Sequence, residues 1–360
     1  MSSYKKYFPV TNQYTYLNTP ASGLLSKPVL DWRQNHDLDF LIKGSLIKIN
    51  EGEILQGVRE KVGVLFNCAS HRVSLRPSFS VGFNTLVSRI PKKQKVLLLE
   101  QDYPSVNWPF ITGDFEVSYA QVTARVEDEV EAAFAKAQPN IFAFSLVQWI
   151  NGIKIDQEFL KRLKAKYPDT LFCADATQYL GTEQFDFENS ALDVLGASTY
   201  KWLNAGYGNA IFMFKEEVLD YLDAKDLHFM PVQGEYKPLE GSFLGYFEPG
   251  HLDTLNFGSL GAAIDLVNDI GISTIDEIIK DLAQKAKVAF NEKGLLDSAV
   301  HDRKRHSNIF NLKGDHELYT RLRNRDILCI ERGAGIRVGF HYFNDQKDLD
   351  TLLRVLDSSL

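Results

Sequence analysis

Cysteine is scarce: the 360 residues hold three, Cys68, Cys173 and Cys329. None has CxxC spacing and the count is odd, which argues against both a disulfide framework and a zinc site. Long apolar runs are also missing. No stretch reaches bilayer-spanning length, and the opening MSSYKKYFPV lacks the apolar core of a signal peptide, so a cytoplasmic protein without a membrane partner is expected. Basic blocks are absent too. Lys and Arg number 40 against 47 Asp and Glu, a net charge of −7, so nucleic acid is not an expected partner. No G-x-G-x-x-G follows an early strand, which removes the fingerprint of a dinucleotide-binding oxidoreductase. Internal repeats and low-complexity tracts are lacking as well.

What remains is an ordinary globular composition, 44% hydrophobic and 24% charged, on a chain long enough for one large and one small domain. An irregular segment, YTYLNTPASGLLSKP, precedes helical periodicity from about residue 29 to 49 and again over 52–66, and VGFNTLVSRI looks like the start of another helix. Short runs that are apolar throughout follow: VLLLE (96–100), IFAFSL (141–146), LFCAD (171–175) and DVLGAS (193–198). An amphipathic helix, DQEFLKRLKAKYPD, separates the second from the third. Strands apolar on both faces and alternating with helices predict an α/β fold, a mostly parallel sheet sandwiched by helices. NAIFMF (209–214) reads as an added strand closing that sheet. From FEPGH (247–251) onward a long helix and then helix and strand pieces predict a smaller α+β domain, whose last helix starts at Asn344 or Asp345. The expected divisions are an N-terminal segment (1–25), a large domain (26–250) and a small domain (251–360).

In such a sheet, side chains just past the strands' carboxyl ends share one crevice. Asp175 ends one strand, and Lys201 follows the next, 26 positions later. Such a pair can be a plain ion pair. It can also be chemical equipment, because a lysine among Trp202, Leu203 and apolar strands loses its proton more readily than one in water.

The blocks ADATQYLG after the aspartate and STYKWLNAGYG around the lysine resemble the fold-type-I pyridoxal-phosphate (PLP) enzymes, specifically the class V aminotransferase and cysteine desulfurase superfamily. The lysine block is closest to kynureninase-like members, where tyrosine precedes the lysine. The resemblance runs from YLN near residue 16 to YFN near 342. It implies PLP as cofactor, a Schiff base on Lys201, and Asp175 against the pyridine nitrogen, which must stay protonated for the ring to accept electrons. It further implies Gln178 at the cofactor's phenolic oxygen. Phe79 and Ser80 of SFSVGFN would lie at the phosphate, at a helix N-terminus, with the hydroxyls of Ser198 and Tyr200 nearby. Tyr103 would stack on the ring.

Trp149, or Asn151 two positions on, occupies the place where many relatives carry an asparagine. Arg337 matches the arginine that clamps the substrate α-carboxylate with a planar fork. His251 replaces a threonine that reaches the neighbouring subunit's phosphate in a homodimer with active sites at its interface. Asn18 and Ala21 fall where relatives fold a loop over the substrate, and Gly23 reads as a turn.

Cysteine desulfurases carry a catalytic cysteine on a mobile loop before that arginine, whereas Cys329 sits in a short apolar strand without a loop insertion. Transamination between an amino acid and a keto acid is therefore the expected reaction. A kynureninase-like or other β-eliminating lyase is the alternative. Desulfuration and a non-catalytic binding protein on the same scaffold rank behind both.

Overall fold

The computed structural model describes residues 3–223 and 243–357. After two short 3-10 turns and strand β1 (Thr15–Tyr16), the chain runs irregularly to Ser26. The Ser26 hydroxyl accepts from Val29 N and Pro28 sits in the first turn, so α1 (Lys27–Lys43) begins where an orphan amide is satisfied. A 3-10 segment links it to α2 (Glu51–Phe66), which ends at Asn67 in the left-handed region, φ 50°.

Seven strands build the main sheet: β2 (Val73–Arg76), β3 (Lys95–Leu99), β4 (Glu116–Ala120), β5 (Ile141–Ser145), β6 (Leu171–Asp175), β7 (Val194–Ser198) and β8 (Ala210–Phe214). Their order is β2-β8-β7-β6-β5-β3-β4. The run from β4 to β7 is parallel, and β8 is antiparallel to both its neighbours. Helices α3 (Phe79–Arg89), α4 (Pro104–Ile111), α5 (Val126–Ala137) and α6 (Gln157–Lys166) lie between the strands in sequence. Alternate residues of a strand feed two separate cores: Phe142 and Phe144 belong to one, Ile141 and Ala143 to the other. This is why the central strands read as unbroken apolar runs.

NAIFMF does not close the sheet. β8 lies one strand in, and β2 forms that edge. β2 escapes a hydrophobicity reading because its four residues, VSLR, are all buried yet two are polar. β4 escapes it for the opposite reason, being an edge strand with one buried residue.

One aromatic side chain sets the helix that matters most. Phe212 on β8 stacks on Phe79 at 5.7 Å, and a Cβ on Gly82 of α3 or Gly196 of β7 would come within 2.2 and 2.5 Å of its ring. Both glycines make room for that ring, whose burial contributes about 1.5–3 kcal/mol. The N-terminus of α3 is thereby pinned at the sheet's carboxyl edge.

The chain continues through α7 (Glu216–Asp223), α8 (Phe243–Phe247), α9 (Thr254–Ile270), α10 (Ile272–Glu292) and α11 (Ser298–His301). β9 (Ile309–Lys313), α12 (His316–Arg323), β10 (Ile327–Leu328), β11 (Ile330–Arg332), β12 (Gly335–Gly339) and α13 (Gln346–Asp357) complete it. β11, β12 and β9 form a separate antiparallel sheet, and β1 pairs with β10. The N-terminal segment is thus tied to the far end of the chain. Asp345 serves the last helix, accepting from Lys347 N at 3.0 Å, while Asn344 instead accepts from His341 N at 2.8 Å.

Candidate active site

Strands β3, β5, β6 and β7 point the same way, and the chain after each contributes to one pocket of about 140 Å³. Phe79, Ser80, Tyr103, Asp175, Gln178, Ser198, Tyr200 and Lys201 all line it. Ser78, Ser145, Val147, Trp149 and Thr177 complete the wall and were not anticipated as lining residues, apart from Trp149. Asn151 is elsewhere engaged: its side chain accepts from Ile153 N at 3.0 Å, shaping the turn that presents Trp149.

Lys201 is 7% and Asp175 6% exposed. Burial pushes the lysine pKa down and the aspartate pKa up, and each charge partly offsets the other's shift. They are not an ion pair, because among the described residues no carboxylate lies within 4.0 Å of Lys201 Nζ. The pocket separates them. Lys201 Nζ instead lies 5.9 Å from the Tyr103 ring centre and 5.7 Å from that of Tyr200, whose hydroxyl pKa burial pushes up to about 12. Asp175 Oδ1 accepts from Thr177 N at 2.8 Å, and Thr177 Oγ1 accepts from Ser198 N at 3.0 Å, locking the ends of β6 and β7 together.

At the opposite end, Ser78 caps α3 and Ser198 Oγ accepts from Phe79 N at 3.0 Å. Ser80 and Ser105 hydroxyls meet at 2.7 Å. Tyr103 packs edge-to-face on Trp149 at 5.6 Å. Asp102, buried beneath it, accepts from both Tyr103 N and Ser145 N at 2.7 Å, joining the β3 and β5 loops. Nothing in its sequence context singled it out.

Gln178 faces the pocket but is partly committed. Its amide nitrogen donates to the Pro20 carbonyl at 2.9 Å and its oxygen accepts from Trp202 Nε1 at 2.9 Å. It therefore ties the N-terminal segment to the residue after Lys201, with one amide hydrogen to spare.

Asn18 and Ala21 lie in that segment, outside the pocket wall. The Asn18 carbonyl accepts from Ala21 N, and its buried side-chain oxygen has no partner among the described residues. Gly23 is more than a turn. Its amide donates to the Tyr200 carbonyl at 3.1 Å, and an added Cβ would sit 2.0 Å from the Lys201 carbonyl oxygen. Gly23→Ala is expected to force the two backbones apart, at about 1–3 kcal/mol. Thermal melts would register the loss, and an unchanged melting temperature would contradict the contact.

Arg337 on β12 is 3% exposed. One Nη donates to the Trp149 carbonyl at 2.6 Å, while Nε is buried without a partner among the described residues. Burial and the neighbouring Arg332 push its pKa down to about 10, so it remains cationic at neutral pH. Among the described residues no carboxylate lies within 4.0 Å of it. Arg337 is therefore a buried cation and not a surface one; it does not itself line the pocket, and it is bonded to Trp149, which does. His251 stands apart: its side chain is 81% exposed, 3.8 Å from Glu51, and does not touch this pocket within its own chain.

Behind Lys201, His341 is fully buried between Trp202 and Phe343. Its Nδ1 accepts from Tyr342 N at 2.8 Å, so Nε2 carries the hydrogen and donates to the Trp202 carbonyl at 2.9 Å. Burial pushes its pKa down to about 3. The unfolded chain takes up this proton below about pH 6.5 and the folded one does not, so folding loses about 1.4 kcal/mol per pH unit there. Wild type should therefore lose stability relative to His341→Gln as pH falls from 7 to 5, in paired melts where His306 cancels. Parallel curves would show that His341 is not held neutral.

The fold is that of the type I PLP enzymes. The chain superposes with a TM-score of 0.81 on a cysteine desulfurase from Thermococcus onnurineus NA1, at 17% identity, covering 99% of this chain and 96% of that one. It matches equally a lysine-to-alanine variant of C-DES with glycine covalently linked to its PLP cofactor, at TM-score 0.80 and 14% identity over 98% and 99% of the two chains.

The chain belongs to the class V aminotransferase family, whose model matches residues 15–352. An uncharacterized aminotransferase of Bacillus subtilis (strain 168), YcbU, is 22% identical over 352 residues, 96% of this chain and 94% of its own. PLP is accordingly the cofactor. The donor set fits it: a buried amine free of carboxylate contact, a carboxylate across the pocket, aromatic walls, and a capped helix N-terminus with serine hydroxyls for an anion. Among the described residues no helix is long and apolar enough to cross a membrane.

Proposed function

We propose that this enzyme is an aminotransferase, moving an amino group from an amino acid to a keto acid in the cytoplasm. Arg337 carries the part of the reading that the substrate is an α-amino acid. A buried guanidinium without an anionic partner costs several kcal/mol unless a ligand neutralises it, and an α-carboxylate matches its planar fork. PLP, when bound, supplies an electron sink that makes the substrate α-proton acidic. Lys201, with its depressed pKa, holds the cofactor and takes that proton on Nζ. Asp175, whose pKa burial raises, would stay charged against a protonated ring nitrogen. Ser80, Ser198, Tyr200 and the α3 N-terminus would hold the phosphate; Tyr103 would cover the ring; Gln178 would offer its free amide hydrogen to the phenolic oxygen. Asn18 and Ala21 border the substrate's approach.

The thiols weigh against desulfuration. All three cysteines are buried and none lines the pocket. Cys329 is 3% exposed, with its pKa pushed up to about 12 by burial, which withholds the thiolate needed for nucleophilic attack.

Homodimerisation also belongs to this reading. Leu41, Ile42 and Ile49, between 71% and 81% exposed, leave an apolar face on α1 and the turn after it. His251, exposed and 3.8 Å from Glu51 at the start of α2, would then be the residue offered to the partner's phosphate.

The test is a panel of amino acids mixed with the PLP-loaded protein. Transamination converts the bound cofactor to its amine form and releases one keto acid per site. Product release from a β-substituted amino acid without that conversion would instead establish a lyase, the reading favoured by Tyr200 before the lysine.

A further inference from the structure

A second cavity, about 560 Å³, opens between α10, residues 304–310 and the turn at 179–183. It lies within the range of small-molecule sites, about 300–1,000 Å³. Val147 is the one wall residue it shares with the cofactor pocket.

Its walls carry an excess of positive charge. Lys154, Lys280, Lys287, Lys304 and Arg305 border it, against the carboxylates of Glu183 and Asp276. Lys154 pairs with Glu183 at 2.7 Å, Lys280 with Asp276 at 2.8 Å, and Arg305 with Asp156 at 2.8 Å. Lys287 and Lys304 are left over: among the described residues neither has a carboxylate within 4.0 Å. Lys287 is 9% exposed, and among the described residues its ammonium donates only to the Arg303 carbonyl. Leaving a buried cation with one neutral acceptor is unfavourable.

His306 on the same wall adds a different requirement. Its Nε2 lies 2.8 Å from the Ile309 carbonyl, which can only accept, so Nε2 holds the hydrogen. Nδ1 is then a buried acceptor with no donor among the described residues. An anion alone would leave it unsatisfied, whereas a hydroxyl would complete it.

We propose that this cavity binds a small hydroxyl-bearing polyanion, with Lys287 and Lys304 taking its charges and His306 Nδ1 accepting from its hydroxyl. The site stands whichever reaction the cofactor pocket performs.

The experiment is calorimetric titration of the PLP-loaded protein at pH 7 with citrate and with tricarballylate, which lacks citrate's hydroxyl. Citrate should bind, and more tightly than tricarballylate. Lys287→Met and the surface variant Lys304→Gln should each weaken citrate about 10-fold or more, as loss of a charged hydrogen bond does, with circular dichroism checking the fold. Arg337→Gln should leave citrate binding unchanged. Absence of citrate binding, or binding lost in Arg337→Gln but kept in both lysine variants, overturns the site. Equal affinity for the two acids overturns the His306 assignment.

Discussion

Lys201→Ala is expected to abolish the borohydride-sensitive visible band and to lower turnover by about 10³- to 10⁴-fold. Two losses coincide in this one change. On the proposed reading, the amine that secures the cofactor disappears, and with it the base for the substrate α-proton. No described residue offers a substitute. Tyr200 and Tyr103 flank the amine, but the Tyr200 hydroxyl is held protonated by burial, and the buried Asp175 stands across the pocket. Cofactor should still be retained loosely through the α3 N-terminus and its serines, so that gel filtration strips it from the variant and not from wild type. A variant that keeps both the band and wild-type turnover would refute the assignment of Lys201.

Arg337→Gln is expected to weaken amino acid binding by about 2–5 kcal/mol, at least about 30-fold in KM, with a much smaller change in kcat. Glutamine retains a donor for the Trp149 carbonyl but has neither the charge nor the fork. Stability should move the other way. Wild-type Arg337 is a buried cation without a counter-ion, so its removal relieves a desolvation cost in the substrate-free protein. The variant should melt at or above the wild-type temperature while losing its substrate. An arginine kept for packing would show the reverse, a lower melting temperature with KM intact. Lysine at this position should not restore binding, because a point charge cannot reproduce bidentate geometry.

The same arginine shows where reading the chain stops. Its match to a carboxylate clamp rests on a local pattern, GIRVGFHYFN, that favours the clamp and still allows a strand arginine in a surface pair. What distinguishes the two is its burial, the absence of a carboxylate within 4.0 Å among the described residues, and its bond to Trp149, 188 positions earlier in the chain. Gln178 is similar. The resemblance of its local block implies a place beside the cofactor, while its bonds to Pro20 and Trp202 tie it to the N-terminal segment. Gly23 reads as a turn and is in fact the place where two backbones touch.

The sequence by itself determined the α/β class, the parallel core strands and the placement of Asp175 and Lys201 on one edge. These follow from local rules: a strand buried on both faces must be apolar throughout, and a parallel sheet sends successive carboxyl ends to the same side. Tertiary structure alone decided the edge strand β2, the closure over Lys201, the isolation of Arg337 and the basic cavity beside α10. Each depends on groups far apart in the chain, and a charge or a hydrogen bond is satisfied or orphaned only by what folding brings next to it.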